Sequence, residues 1–270
     1  MIAPAKLWTY EAVGISGTSP IIFLHGFMGR GQDWMPIAHR LERDAYLILP
    51  DLPGHGQNTQ RNIVRPLSFD KLGKELAYLL DHLGLMTVDL VGYSMGGRLA
   101  LYFAIHYPNR VRTLVLESAS AGIILAKDRK DRQIVDSAHA EQILEEGMQR
   151  FVDSWYKMPL FHSLAMQKER FENIKQARMN NDPGWMVKVV CDLSPGYQPH
   201  VWDQLRLLEM PVLLITGEMD NKYTSIMQEM GMSIKKSKEI IVSGSGHNCH
   251  VEQPERFLHY LMEFLGVETD

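Results

Sequence analysis

Cysteine is scarce in this chain: its 270 residues include 2, Cys191 and Cys249, at a separation that fits neither a metal-ligand motif nor a disulfide framework. That excludes a cysteine-built metal centre and a disulfide-stapled scaffold, and makes a reducing compartment the default. Long apolar runs are missing as well. Nothing approaches the ~20 consecutive apolar residues that cross a bilayer, and residues 1–10 lack the uninterrupted apolar stretch of a secretory signal. Neither sign of charge dominates, with 28 Lys and Arg against 32 Asp and Glu for a net charge of −4. No general attraction to nucleic acid or to an anionic membrane is therefore expected, and any basic site has to be local. Internal repeats and low-complexity tracts are absent. These exclusions leave a soluble, unprocessed, cytoplasmic protein with no membrane insertion. At 45% hydrophobic and 22% charged, the composition suits a globular chain with one sizeable core, read as one catalytic unit carrying an insertion.

What is present begins with the apolar run Val88-Asp89-Leu90-Val91, which leads into Gly92-Tyr93-Ser94-Met95-Gly96 and then into a helical pattern over 97–106. Strand, sharp turn and helix with serine at the apex describe a nucleophile elbow. Glycines flank the serine because backbone approaches backbone where a strand reverses into a helix. The helix also directs its positive end toward an anion forming at the serine. Two further strand-like runs end in partners for Ser94. Leu213-Leu214-Ile215-Thr216-Gly217-Glu218-Met219-Asp220 ends in a carboxylate, and Ile240-Ile241-Val242-Ser243-Gly244-Ser245-Gly246-His247 ends in an imidazole. The order Ser94, Asp220, His247 is that of the α/β-hydrolase triad. Upstream, Ile21-Ile22-Phe23-Leu24 enters the loop His25-Gly26-Phe27, where a backbone N–H can complete an oxyanion hole with that of Met95. His25 and His55 are expected to shape the loops there rather than to titrate, and the role of His250 is open.

Strand-like runs at 20–26, 45–50, 88–94, 113–117, 212–217 and 239–242 alternate with helical or loop segments, which predicts a mostly parallel sheet with helices on both faces. Apolar spacing predicts helices over 69–83 and 252–265. From 119 to 204 the strand rhythm stops. That stretch is too long for an ordinary connection and reads as a helical lid inserted into a core made of 1–118 and 205–270, roofing the serine. The lid mixes basic and aromatic residues: Arg129, Arg132, Trp155, Tyr156, Lys157, Arg178 and Trp185.

Five segments together carry a more specific likeness. Gly92-Tyr93-Ser94-Met95-Gly96-Gly97-Arg98, Gly217-Glu218-Met219-Asp220-Asn221-Lys222-Tyr223, Gly246-His247-Asn248-Cys249-His250-Val251-Glu252-Gln253-Pro254, Ser154-Trp155-Tyr156-Lys157-Met158-Pro159-Leu160-Phe161 and Arg178-Met179-Asn180-Asn181 resemble the 2-succinyl-6-hydroxy-2,4-cyclohexadiene-1-carboxylate synthases. These are the pyruvate-eliminating lyases of menaquinone and phylloquinone (vitamin K) biosynthesis. The likeness spans the chain. Its triad motif is common to the whole superfamily, whereas the arginine after the elbow, the Asp220-x-Lys222 pair and the lid segments narrow it.

The resemblance implies an α/β-hydrolase fold and a carbon–oxygen lyase whose small-molecule substrate is a tricarboxylate. On that implication Arg98, either Arg129 or Arg132, Arg178 and Lys222 bind carboxylates, and Tyr93 and Trp155 pack on the ring or donate to a carboxylate. Ser94 acts as general base, relaying its proton to His247, which Asp220 orients, while the N–H groups of Phe27 and Met95 hold the oxyanion. This scheme requires no metal or organic cofactor. Two other functions use the same residues. A serine hydrolase of esters, or of carbon–carbon bonds in ring-cleavage products, would pass through an acyl-serine. A triad-bearing small-molecule receptor would bind tightly without turnover and signal by lid closure.

Overall fold

The computed structural model describes residues 8–59 and 66–267. Among them, seven strands form one sheet: β1 (Tyr10–Gly14), β2 (Pro20–Leu24), β3 (Tyr46–Pro50), β4 (Val88–Tyr93), β5 (Val111–Glu117), β6 (Val212–Gly217) and β7 (Ser237–Val242). Their order is β1-β3-β2-β4-β5-β6-β7, parallel throughout except for β1, which runs antiparallel along β3. The central strands are continuous apolar runs because both of their faces are covered. Alternate residues point to opposite faces. Ile22, Leu24, Leu90, Leu114, Leu116 and Leu214 belong to one apolar cluster, and Ile21, Phe23, Val91, Val115, Leu213 and Ile215 to the other. Sequence patterning gives six of these strands and misses β1. That strand pairs on one side only and leaves Glu11, Ala12 and Gly14 exposed, so it carries no apolar run to read.

The helices are α1 (Met35–Leu41), α2 (Phe69–His82), α3 (Met95–His106), α4 (Ala126–Trp155), α5 (His162–Ala165), α6 (Lys168–Met179), α7 (Pro183–Asp192), α8 (Asn221–Gly231), α9 (Cys249–Glu252) and α10 (Pro254–Leu265). Ser68 caps α2 by accepting the Lys71 N–H, and Phe69, Leu72, Leu76, Leu79 and Leu80 form its buried stripe. The expected closing helix starts at Pro254 rather than 252, since Gln253, at the non-helical φ −135° and ψ 62°, separates it from the single turn of α9. Helices α4 to α7 occupy the stretch between β5 and β6. Gly147, at φ 79° and ψ 171°, breaks α4 into two helical pieces. Phe151, Val152, Trp185, Met186 and Val189 from these helices join the same apolar cluster as one face of the sheet, so this segment is packed onto the core rather than tethered to it. Among the described residues, no helix is long and apolar enough to cross a membrane.

Candidate active site

Parallel strands bring their C-terminal ends to one side of the sheet, and the site is built there. Ser94 lies between β4 and α3 at φ 50° and ψ −109°, a region that costs a non-glycine residue about 1–3 kcal/mol. Its flanking glycines are dictated by space. A Cβ on Gly92 would lie 2.6 Å from the Gly96 carbonyl oxygen, and one on Gly96 would lie 2.3 Å from that of Leu24. Among the described residues the non-glycines with positive φ are Met28, Ser94 and Ser118, which follow the ends of β2, β4 and β5. Backbone strain is thus concentrated at the strand ends that surround the serine.

Two loops bring hydrogen-bonding partners to the serine. Asp220 follows β6 and caps α8 by accepting the Tyr223 N–H at 3.3 Å. Its other carboxylate oxygen, Oδ2, is 2.7 Å from His247 Nδ1, and His247 Nε2 is 3.1 Å from Ser94 Oγ. Both Asp220 and His247 are buried. The carboxylate therefore fixes the imidazole with Nδ1–H donating to it and Nε2 facing the hydroxyl, as a serine-activating relay requires.

On the other side of Ser94, Phe27 and Met95 both line the cavity. Met95 is the first residue of α3, so its N–H has no acceptor within the helix. Two buried imidazoles brace the loop that carries Phe27. His25 Nε2 accepts the Leu52 N–H at 2.9 Å while Nδ1 donates to the Gly26 carbonyl at 2.8 Å. His55 Nε2 accepts the Met28 N–H at 3.2 Å while Nδ1 faces the Pro53 carbonyl at 3.3 Å. An imidazole accepting at one nitrogen and donating at the other is neutral. Burial enforces this, lowering the pKa of His25 and pushing that of His55 well below the usual histidine range.

A cavity of about 510 Å³ opens over the serine, and Tyr93, Arg98, Arg132, Trp155, Arg178 and Lys222 all line it. Arg129 does not join them. Its guanidinium turns back to the carbonyls of Ile123 and Ile124 just before α4, so of the two alternatives at this helix Arg132 is the one at the cavity. The cations differ in how they are held. Arg178 is 2.6 Å from Asp33; burial opposes its charge, but Asp33 and Tyr156 outweigh that and hold its pKa above the usual arginine value. Arg132 Nε donates to the buried Asp136 at 2.8 Å. Burial likewise opposes the charges of Asp33 and Asp136, yet their cationic and hydrogen-bonding neighbours keep both carboxyls below the usual range. Arg98 is buried and donates to two neutral oxygens, Leu193 O at 3.0 Å and Gln198 Oε1 at 3.3 Å, while lying 5.5 Å from the centre of the Phe69 ring. Burial draws its pKa down to about 10. Desolvation, followed by the nearby Arg132, lowers that of Lys222.

Residues absent from the sequence reading complete the wall. Asp136 stands one helical turn after Arg132, an i,i+4 pair that the sequence does contain. Asp33 reaches Arg178 across the fold and leaves no local signal. The aromatic part is built on Trp155, whose ring meets Phe27 at 5.2 Å and His139 at 5.3 Å, both edge to face.

Residues 19–254 match the family model described as the alpha/beta hydrolase fold. Over 253 residues the chain is 37% identical to a Bacillus subtilis (strain 168) protein whose name assigns it provisionally as 2-succinyl-6-hydroxy-2,4-cyclohexadiene-1-carboxylate synthase, a match covering 93% of this chain and 92% of that protein. The synthase of that name from Serratia proteamaculans (strain 568) is 31% identical over 246 residues, covering 91% of this chain and 92% of its own length. Among solved structures, MenH from S. aureus is similar with a TM-score of 0.91 at 32% identity, covering 96% of this chain and 98% of that one. With a serine elbow, a hydrogen-bonded Ser94, His247 and Asp220 set and likeness along nearly its whole length, the chain belongs to the α/β-hydrolase fold and, within it, to the 2-succinyl-6-hydroxy-2,4-cyclohexadiene-1-carboxylate synthase family.

Proposed function

We propose that the protein eliminates pyruvate from 2-succinyl-5-enolpyruvyl-6-hydroxy-3-cyclohexene-1-carboxylate to give 2-succinyl-6-hydroxy-2,4-cyclohexadiene-1-carboxylate, a step of menaquinone or phylloquinone biosynthesis. The observation that carries this reading is one cavity that joins a Ser94–His247–Asp220 relay to Arg98, Arg132, Arg178 and Lys222. Asp33 and Asp136 orient Arg178 and Arg132, while Arg98 is hydrogen-bonded to neutral oxygens only; a hydrolase of neutral esters has no use for four converging cations, whereas a substrate bearing three carboxylates needs them in a site with little water. Ser94 Oγ, its own proton passed to His247 Nε2, removes the proton from the carbon next to the succinyl carbonyl. The electron pair moves onto the carbonyl oxygen, where the N–H groups of Phe27 and Met95 stabilise it. Its return breaks the carbon–oxygen bond to the enolpyruvyl group, which leaves as an enolate and takes up one proton, balancing the one passed to His247, to become pyruvate. Asp220 keeps His247 in the tautomer that accepts the serine proton.

Tyr93 and Trp155 supply ring contacts, and residues 119–204 act as a helical lid whose side chains set specificity while the relay stays fixed. The net charge of −4 supports a small-molecule substrate over a nucleic acid, and cysteine usage supports a cytoplasmic setting. Purified protein incubated with the enolpyruvyl substrate should release pyruvate and cyclohexadiene in equal amounts. Rapid hydrolysis of a p-nitrophenyl ester together with no pyruvate from the enolpyruvyl substrate would transfer the assignment to a serine hydrolase.

A further inference from the structure

Glu117 ends β5 with its side chain fully buried, and nothing in the proposed chemistry uses it. Its backbone carbonyl accepts the N–H of Ser94 at 2.8 Å. Its carboxylate accepts twice from His250, the backbone N–H reaching Oε1 at 3.1 Å and Nδ1 reaching Oε2 at 2.7 Å. One residue thus grips the nucleophile elbow with its main chain and, with its side chain, the segment three residues beyond His247. The far end of that grip is stiff. Trp34 stacks on the His250 ring with centroids 4.0 Å apart, and Tyr93, the neighbour of Ser94, meets it edge-on at 5.0 Å. Before His250, Glu252 accepts the N–H groups of Gly246 and Asn248, the residues on either side of His247. The histidine loop is therefore clamped by two carboxylates, and Glu117 is the one whose backbone is also bonded to Ser94.

We propose that Glu117, acting through His250, is a positioning residue that sets the register between Ser94 Oγ and His247 Nε2. The proposal rests on the relay reading of Ser94, His247 and Asp220. The physical reason is geometric. The two relay atoms sit on loops that leave different strands, β4 and β7, and a proton passes well between them only near hydrogen-bond distance. A misplacement of about 1 Å in such a contact costs on the order of 100-fold in rate. A burial role alone would make Glu117 and His250 matter for folding and leave the relay of the folded protein untouched.

Diisopropyl fluorophosphate separates these roles, because it forms an Oγ–P bond at Ser94 and expels fluoride while the serine proton passes to His247. Labelling is followed by intact mass, alongside thermal unfolding and pyruvate kinetics. Glu117→Gln keeps the shape of the side chain but offers an amide N–H₂ where one of the two donors needs an acceptor. It should label roughly 10–100-fold more slowly than wild type and lower kcat by a similar factor, with KM changed less than about twofold. His250→Asn, which retains a side-chain N–H near the position of Nδ1, should label faster than His250→Ala.

Glu117→Gln that is folded and labels at the wild-type rate overturns the proposal. Equal losses in His250→Asn and His250→Ala also overturn it, since the ring rather than its bond to Glu117 would then be responsible. Should Glu117→Gln fail to fold, the His250 pair decides the matter alone. Wild-type protein that is not labelled at Ser94 defeats the relay and the proposal together. Wild-type protein that labels but releases no pyruvate defeats only the assigned reaction and leaves the comparison of variants intact.

Discussion

Asp33 holds the guanidinium of Arg178 at 2.6 Å, and both side chains line the cavity above Ser94. Arg98, in the same wall, donates to the neutral oxygens of Leu193 and Gln198, and no carboxylate among the described residues is hydrogen-bonded to it. The two arginines should therefore fail differently. Arg178→Ala takes the guanidinium from the half-buried Asp33 carboxylate, which keeps the Arg30 N–H at 3.0 Å, a defect worth about 1–3 kcal/mol of stability. Arg98→Ala leaves two carbonyl oxygens of buried residues short of a donor but also removes a charge that burial disfavours, two effects on stability of opposite sign and no orphaned charge. Its cost should appear in kcat/KM as about 2–5 kcal/mol, the loss of a desolvated carboxylate contact. Urea unfolding and steady-state kinetics on both variants test the contrast. Near-normal kcat/KM in Arg98→Ala would count against a carboxylate ligand at this position.

Ser94→Ala, His247→Ala and Asp220→Asn should each reduce turnover strongly and leave the protein folded, because the three side chains serve one proton path and stand at strand ends outside the main apolar clusters. Their effects should not multiply. Once the serine hydroxyl is gone, His247 has no proton to accept, so the Ser94→Ala/His247→Ala enzyme should be about as slow as the worse single variant. A double variant slowed by the product of the two single factors would mean that the residues act independently.

Acid should destabilise the protein from near neutrality. His25 and His55 are held neutral by burial, with pKa values below the usual one, whereas in the unfolded chain they protonate near about 6.5. Between the folded and unfolded values the unfolded state binds more protons, so stability falls as pH drops through that window. Asp33 and Asp136, whose pKa values are depressed in the fold, add a second loss at lower pH, once unfolded carboxylates begin to protonate near about 4. Thermal unfolding from pH 7 to pH 5 should show the histidine part, and His55→Asn should flatten it. A Tm constant over that range would show that the two imidazoles are not held neutral by the fold.

Alkaline pH should weaken substrate capture before it slows the chemistry. Arg98 has a pKa drawn down to about 10, and that of Lys222 is also lowered, so the free enzyme loses cavity cations at a pH where ordinary arginine keeps its charge. A bound polyanion favours the charged forms and moves both values up. The alkaline limb of kcat/KM, which reports the free enzyme, should therefore lie at lower pH than that of kcat, which reports the complex. Coincident limbs would mean that neither cation is coupled to the bound substrate.

The meeting of Ser94, His247 and Asp220 was legible in the sequence because each ends an apolar run in a fixed order along the chain, and buried parallel strands write themselves as such runs. The expected parallel sheet was legible for the same reason, and β1 escaped because an edge strand with exposed residues has no need of one. Cavity cations were harder to read. Arg129 and Arg132 are three residues apart on one helix, and what separates them is that Arg129 bonds the carbonyls just before the helix while Arg132 reaches Asp136 one turn on. The partners that fix the remaining side chains, Asp33 for Arg178 and Glu117 for His250, come from distant segments and exist only once the chain has folded.

The role of the serine itself is the last expectation. In an esterase Ser94 would attack a carbonyl carbon and carry an acyl group, but the group expelled here is bonded through an ether oxygen to a ring carbon, and attack on a carbonyl does not release it. Ser94 should therefore stay unmodified while pyruvate forms. Deuterium on the carbon next to the succinyl carbonyl should slow the reaction by a primary isotope effect, provided that proton removal rather than product release limits the rate. Rapid-quench intact mass spectrometry with the native substrate reads the difference directly. An unchanged protein mass during pyruvate release is the result expected of a general base. A substrate-dependent mass increase on Ser94 that rises and decays at the rate of pyruvate formation would make the serine a nucleophile, even with the cyclohexadiene as product.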